Sequence, residues 1–349
     1  MTARPVARPA ARLEDVAKLA GVSAKTVSNV VNDYVHVRPA TRTRVQEAID
    51  LLGYRPNVVA RHLKSGRSGV IALALPELDA PYFAELAHHV VQAAMERGWT
   101  VLVDETGQIQ DQAVRARERS AVAGIREHLI DGVILNPLAL DHADVERYGS
   151  VPVVLLGERL GSRLADHVAI DNEAAAAAAT RHLISSGRRR IAVVGAQPRP
   201  FGHSARLRMR GYRDALVEAG IRYDPELVVE ALDWRRQAGA DAVPRLLALD
   251  QPPDAIFCLN DTLALGAIRG LADAGLRVPQ DVAVVGFDDI EESRYAIPSL
   301  TTVAPDKQAI ARSAVEHLAR RLDEADVAPE EVTVGWTLQV RESTATATS

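Results

Sequence analysis

Between Leu13 and Asn32, apolar side chains recur at helical spacing in two short runs separated by a glycine. Val16, Leu19 and Ala20 form the stripe of the first run, and Val27, Val30 and Val31 that of the second. Gly21 ends the first helix, because glycine enters a left-handed turn without strain. Val22 fills the corner, and Ser23 is placed to cap the second helix by accepting a bond from its free backbone N–H groups. The outward face of the second helix then carries Ala24, Lys25, Ser28 and Asn29, small, basic and amide side chains that suit base edges and phosphates. A solvated helical hairpin is the plainer reading of this segment alone. A third helix is predicted from about Pro39 to Leu52, with Val45, Ile49 and Leu52 inward, Pro39 at a tolerated first-turn position and Gly53 as its stop.

Residues 56–69, PNVVARHLKSGRSG, hold a possible helix of about nine residues capped by Asn57, too short to be stable in water because nucleation costs more than so few bonds return. Such a segment orders only when something packs on it; a plain flexible linker fits the same residues. From Val70 the pattern changes to short apolar strands between longer helical stretches: VIALAL (70–75), TVLV (100–103), GVIL (132–135) and VPVVLL (151–156), then IAVVG (191–195), LVVE (227–230), AIFCL (255–259) and VAVVGF (282–287). This alternation predicts parallel sheets with helices on both faces. Two such series predict two similar doubly wound α/β subdomains with a ligand cleft at the carboxyl ends of the strands. The run Ala174–Ala179 reads as a helix capped by Asp171 or Asn172. A helix from Asp306 to about Leu322 follows a late strand at Thr301–Val303 and returns the chain to the first subdomain.

Charge sharpens the division. The 349 residues carry a net charge of −5, yet residues 1–68 hold 12 Lys+Arg against 5 Asp+Glu, while the remainder holds 29 against 41. A basic head on an acidic body fits a phosphate-binding module attached to something that stays off nucleic acid. The single cysteine, Cys258, excludes an internal disulfide and lies in an apolar run as a small core residue. MTARPVARPAAR lacks the apolar run of a secretory signal and no segment is long enough to span a membrane, so a cytoplasmic protein is expected. The chain carries no Walker, HExxH or GxSxG motif and no GxGxxG after the first strand, which argues against an enzyme and against a bound cofactor. His88–His89 falls in an amphipathic helix, a surface or packing pair before a metal site.

LEDVAKLAGVSAKTVSNVVN followed by TRTRVQEAIDLLGYRPNVVARHLKSGRS closely resembles the head and hinge of LacI/GalR-family transcriptional regulators. Further landmarks follow in order: APYFAEL (80–86), DGVIL (131–135), VAIDN (168–172), GYRDAL (211–216), CLNDTLALGA (258–267), LRVPQDVAVVGFDD (276–289) and PSLTTV (298–303). The resemblance covers nearly everything after Arg12. It implies an all-α helix-turn-helix domain joined to a periplasmic-binding-protein-like core, organised as an N-terminal disordered arm (1–12), the helix-turn-helix domain (13–55), a hinge helix and linker (56–68), the core (69–342) and a disordered tail (343–349). Within the core the first subdomain takes about 69–170 and 304–332, the second about 171–303 and 333–342. Tetramers of that family carry an extra leucine-heptad tail; the ending RESTATATS has no heptads, so the resemblance implies a homodimer.

By the same resemblance, Ala24, Lys25 and Asn29 address bases in the major groove, while Ser23, Thr26, Ser28, Asn32, Arg38 and Tyr54 position the head on phosphates. Arg38 departs from the small hydroxyl residue usual where the third helix begins. Leu63 matches the hinge leucine that wedges into the minor groove, supported by Asn57, Ala60, Arg61 and Lys64. The implied partner is double-stranded DNA bearing a palindromic operator, since a two-fold dimer presents two identical heads. The implied effector site comprises Tyr82, Phe83, Asp171, Asn172, Arg208, Trp234, Asn260, Asp261 and Asp288, a mixture of acids, amides and aromatic faces suited to a sugar. Arg208 and the arginines around it also suit a sugar phosphate. Asn260 and Asp261 are placed equally well to serve the helix beginning there. Effector-driven closure fits either release or capture of DNA, and a repressor or an activator, with repression of carbohydrate uptake or catabolism genes the leading expectation. A transporter's solute-binding protein shares such a core but not the basic head.

Overall fold

The computed structural model describes residues 11–31, 34, 36–54, 67–108, 113–123, 130–140, 143–144, 152–157, 165–198, 203–324 and 327–345. The chain forms two units, residues 1–68 and 69–349.

In the first unit, α1 (Leu13–Ala20), α2 (Ala24–Val31) and α3 (Pro39–Leu52) enclose a core of Val16, Ala17, Ala20, Val27, Val30, Val45, Ala48 and Tyr54. Gly21 takes φ +64°, and the Val22 N–H reaches back to the Ala17 carbonyl at 3.0 Å, which turns the chain into α2. Ser23 Oγ accepts the Thr26 N–H at 3.1 Å and caps that helix. Leu19 departs from the expected inward stripe and is 52% exposed. The buried face runs through Val16, Ala17 and Ala20, which leaves Leu19 about a third of a turn away. Leu52, the last residue of α3, is also exposed.

The second unit starts with β1 (Val70–Leu75), α4 (Pro81–Glu96), β2 (Thr100–Glu105), α5 (Val114–Ala123), β3 (Gly132–Leu135), β4 (Val153–Leu156) and β5 (Asp166–Ile170). It continues through α6 (Asn172–Ser185), β6 (Ile191–Ala196), α7 (His203–Glu218), β7 (Val228–Glu230), α8 (Arg236–Leu247), β8 (Ala255–Cys258), α9 (Asp261–Asp273), β9 (Ala283–Phe287), α10 (Glu291–Tyr295) and β10 (Thr301–Pro305). Finally come α11 (Lys307–Asp323), β11 (Glu331–Val334) and β12 (Trp336–Gln339). Two six-stranded sheets result, ordered β11-β5-β4-β3-β1-β2 and β12-β10-β9-β8-β6-β7. Every pairing is parallel except β10 with β12.

The strands read as unbroken apolar runs because both faces are covered. Ile71, Leu73 and Leu75 of β1 pack under α4 and α11, while Ala72 and Ala74 face the layer that includes Ala121 and Val122 of α5. The second sheet is sandwiched in the same way, with Phe257, Val285 and Phe287 on the face of α6 and α7 and Ile256, Cys258 and Val284 on the face of α8 and α9. Each of the two subdomains therefore has its own complete core.

Three strands were not predicted. β5 begins with Asp166 and His167, whose charge and polarity hide its burial; Asp166 is enclosed against Arg320 at 3.0 Å. β11 and β12 are short edge strands of mixed polarity on either side of Gly335, one joining each sheet. The change of subdomain thus falls at Gly335, two residues beyond the expected boundary. The chain end also differs from expectation: Ser343 and Thr344 are buried. Ser343 Oγ donates to the Val284 carbonyl at 2.6 Å and accepts the Thr301 N–H at 2.8 Å, so polar tail residues complete the hydrogen bonding beside β9 and β10. Among the described residues, no helix is long and apolar enough to cross a membrane.

Candidate functional site

Two separate surfaces carry candidate chemistry. On the first unit, Ala24 and Lys25 are exposed and Asn29 is partly so, all on α2, whose opposite side holds Val27 and Val30. Ser23 and Thr26 lie at the start of the same helix, joined by a hydroxyl contact of 2.9 Å, and Ser28 is half-buried. Arg38 is exposed at the N-cap position of α3 and makes no capping bond with its side chain. The Tyr54 ring belongs to the three-helix core, and burial raises its hydroxyl pKa. Asn32 and the hinge residues Asn57, Ala60, Arg61, Leu63 and Lys64 lie outside the described residues.

On the second unit, a cavity of about 230 Å³ opens where the carboxyl ends of both sheets meet. The placement follows from topology. β1 lies between β2 and β3, and β6 between β7 and β8, so at each of these points successive connections leave toward opposite faces and a crevice remains. The loops after β1 and β3 supply Glu77, Asp79, Asn136 and Leu138. Those after β6, β7 and β8 supply Gln197, Trp234 and Asn260, and that after β9 supplies Asp288.

Arg208 of α7 is the central charged group, and only 8% of it is exposed. Its guanidinium lies over the Phe287 ring at 3.5 Å from the centroid and 5.5 Å from that of Trp234. Nε donates to Asn172 Oδ1 at 2.8 Å and Nη1 to the Leu259 carbonyl, while Nη2 stands 3.8 Å from Asp288 Oδ1. Trp234 is fixed in turn by its indole N–H, which donates to the Gly195 carbonyl at 2.9 Å. Asn260 donates to the Trp234 carbonyl at 3.1 Å and caps α9 by accepting the Leu263 N–H at 2.9 Å; it serves both cleft and helix. Tyr82 and Phe83 meet edge to face at 5.3 Å on the opposite wall.

Burial pushes the Asp288 carboxyl up to about 7. The Arg208 guanidinium, with Nη2 at 3.8 Å, is the main influence opposing that shift.

Seven of the nine expected effector residues line the cavity: Tyr82, Phe83, Asn172, Arg208, Trp234, Asn260 and Asp288. The other two do not. Asp171 is exposed and caps α6, accepting the Ala174 N–H at 2.9 Å. Asp261 is fully buried and accepts from Thr302 Oγ1 at 2.5 Å, Ser293 Oγ at 2.7 Å and the Ile290 N–H at 3.0 Å. It organises the β9–α10 loop from behind. A Cβ on Gly286 would meet its carboxylate at 2.1 Å, so glycine is required there.

Several lining residues were not anticipated. Arg235 bridges the cleft mouth, with Nη1 2.7 Å from Asp79 Oδ2 and Nη2 2.7 Å from Glu77 Oε2. Gln108, Gln197, Asn136 and His203 add polar groups. Glu77, Asn136 and Gln197 each fall within two residues of a strand's carboxyl end, a positional signal that was available in the sequence.

Residues 12–57 match the family described as bacterial regulatory proteins, lacI family, and residues 180–344 match the periplasmic binding protein-like domain. The chain is 34% identical to the HTH-type transcriptional repressor PurR of Aliivibrio fischeri over 322 residues, 90% of this chain and 93% of that relative. Among solved structures, a complex of the transcriptional regulator CelR with cellobiose is 35% identical, with a TM-score of 0.70 over 96% of this chain and 100% of that one. A Lac repressor dimer bound to operator and the anti-inducer ONPF is 28% identical, with a TM-score of 0.83 over 97% of this chain and 100% of that one.

Proposed function

Since the chain belongs to the LacI family of bacterial regulatory proteins, and is therefore a DNA-binding transcriptional regulator and not an enzyme, we propose that it is a repressor whose operator affinity is set by a neutral sugar held in the cleft. In this reading it represses genes of carbohydrate uptake or catabolism, binds a palindromic operator as a homodimer and works in the cytoplasm. Ala24, Lys25 and Asn29 read bases, and Ser23, Thr26, Ser28 and Arg38 contact phosphates.

The observation that carries the effector class is the state of the cleft's cations. Arg208 is committed to Asn172, Leu259 and Asp288, and Arg235 to Glu77 and Asp79. Arg236 is paired with Glu292 at 2.9 Å. A phosphate would have to displace carboxylates from these arginines and lie beside three acids. A polyhydroxyl ring needs only acceptors, amides and an aromatic face, which Asp288, Asn260, Asn136 and Trp234 offer. The cellobiose bound by CelR supports a sugar occupant. A two-fold dimer places two heads on two half-sites, which is the reason for a palindrome.

The test is fluorescence anisotropy of the full-length protein on an inverted-repeat operator and on a scrambled duplex, across neutral mono- and disaccharides and their phosphates. At least one neutral sugar is expected to change operator affinity by about 5–150-fold, the usual range of allosteric coupling. A response confined to sugar phosphates overturns the effector class, and equal affinity for operator and scrambled duplex overturns the whole reading.

A further inference from the structure

The carboxyl of Asp288 points into the cleft from backbone that side chains rarely adopt. Asp288 has φ +117° and Asp289 φ +46°, and such conformations persist only where the surroundings over-determine them. The two ends of this turn are fixed within the second subdomain. The Asp288 N–H donates to the Val303 carbonyl at 2.8 Å, and the Ile290 N–H to Asp261 at 3.0 Å.

The middle of the turn is held from both subdomains: within the second, Arg341 and Arg294 donate to the Asp289 carboxylate at 2.6 and 3.2 Å, and the first reaches its backbone carbonyls. Lys307 Nζ donates to the Asp288 carbonyl at 2.8 Å and to the Asp289 carbonyl at 2.9 Å. The same ammonium pairs with Glu85 Oε2 at 2.5 Å, and Glu85 Oε1 accepts the Glu291 N–H at 3.0 Å. Glu85 lies on α4 and Lys307 is the first residue of α11, two helices that pack on the first sheet. The Lys307 side chain is only 10% exposed.

Nothing about α11 itself explains that lysine. A cation at a helix N-terminus opposes the macrodipole, and burying an ammonium is costly unless its donors are met. Its bonds to the Asp288–Asp289 turn and to Glu85 offset both. The position thus serves the turn and not the helix.

We propose that Lys307 and Glu85 are positioning residues for the effector: from the first subdomain they hold the Asp288–Asp289 turn of the second, so that engagement of Asp288 by a sugar and the relation between the subdomains are a single equilibrium. This rests on the reading of the cleft as the effector site. In this turn the pair touches the carbonyls of Asp288 and Asp289 and the N–H of Glu291, and so sets the direction of the Asp288 carboxyl; the Lys307 ammonium also lies 6.0 Å from the ring centroid of Tyr82, which lines the cavity.

The experiment uses the full-length protein and the variants Lys307→Met, Lys307→Arg and Glu85→Gln. Amide hydrogen exchange without ligand is read first. Lys307→Met is expected to speed exchange at residues 289–291 at least tenfold with β9 unchanged, and Lys307→Arg to restore most of the protection. Cellobiose is then titrated calorimetrically. Its dissociation constant is expected to rise at least tenfold in Lys307→Met and severalfold in Glu85→Gln, and to return to within threefold of wild type in Lys307→Arg. Unchanged exchange in Lys307→Met overturns the proposal, as does faster exchange with unchanged cellobiose affinity, which marks a merely structural tie. If wild type binds no cellobiose, the neutral sugar that changes operator affinity in the anisotropy panel is titrated instead; if none of the panel does, the sugar reading is what fails, and the exchange result alone decides whether Lys307 and Glu85 hold the turn.

Discussion

The helical head and the cleft present their chemistry in opposite ways. Ala24 and Lys25 stand exposed on α2, positioned by a core of eight residues, and their partners are supplied by the ligand. Arg208, Asp288 and Trp234 are enclosed and already bonded to one another or to backbone. A surface that approaches phosphates benefits from mobile, hydrated charge and long-range attraction. A pocket that must distinguish small solutes benefits from groups fixed before binding. Substitutions in the head should therefore alter binding with little loss of stability, whereas those in the cleft should alter both.

The largest effect is expected at Arg208. Arg208→Met keeps the stem against Phe287 but leaves Asn172 Oδ1 and the Leu259 carbonyl without their donor. Removing one partner from a buried charged network costs about 3–5 kcal/mol, read as a fall in urea midpoint. Sugar affinity should fall at least a hundredfold, while operator affinity without sugar stays within threefold. A matching loss of operator affinity would erase the contrast between the two regions.

In the head, Asn29→Ala and Lys25→Ala should each cost about 1–3 kcal/mol of discrimination against single base changes in the operator. Their melting temperatures should stay within about a degree or two of wild type, as expected for surface substitutions. For Lys25→Ala, a phosphate-contact role instead would weaken all sequences equally and flatten the salt dependence. Competition with single-base variants of the operator separates these outcomes.

A smaller effect concerns pH. Burial lifts the Asp288 carboxyl from its ordinary 3.8 to about 7 and that of Asp261 to about 6. The folded chain therefore retains protons that the unfolded chain releases near pH 4. That stabilisation is complete below the unfolded value and is lost as pH rises through 6 to 7. His89, His182 and His203 have lowered pKa values and act in the opposite sense, so the informative quantity is a difference between variants. Asp288→Asn should gain on wild type by about 2–3 kcal/mol between pH 5 and pH 8, because the roughly two pH units from 5 up to the folded value of about 7 each count about 1.4 kcal/mol. A constant difference in unfolding free energy across that window would show Asp288 ionising near its ordinary value.

Much of this was legible in the sequence because period and burial agree. The β1 and β9 runs are apolar throughout since both faces of each sheet are covered, and Gly21 and Gly53 stand where left-handed turns are needed. Leu19 falls outside the buried face because a stripe three and four residues apart can be drawn on either side of Val16, and the packing of α2 and α3 decides between them. β5 was hidden by Asp166, which reads as surface until Arg320 is seen beside it. Ser343 and Thr344 look like a polar tail, yet their hydroxyls satisfy backbone groups of distant strands. The clasp of Arg235 with Glu77 and Asp79 joins residues 156 and 158 apart in the chain, and no local pattern encodes such a meeting.

The smallest effect tests one of the two effector candidates that the structure keeps off the cavity wall. Asp171 belongs to the landmark VAIDN and lies beside Asn172, which does line the cavity, yet its carboxylate accepts the Ala174 N–H at 2.9 Å and caps α6. As a cap, Asp171→Ala should cost about 0.5–2 kcal/mol of stability, and Asp171→Asn almost nothing, since an amide oxygen caps equally well. Both should bind sugar within twofold of wild type. If Asp171→Asn instead lost sugar affinity tenfold at unchanged stability, the carboxylate would belong to the cleft after all. The enclosed, prebonded character of that site would then extend to an exposed acid, and the contrast with the head would narrow accordingly.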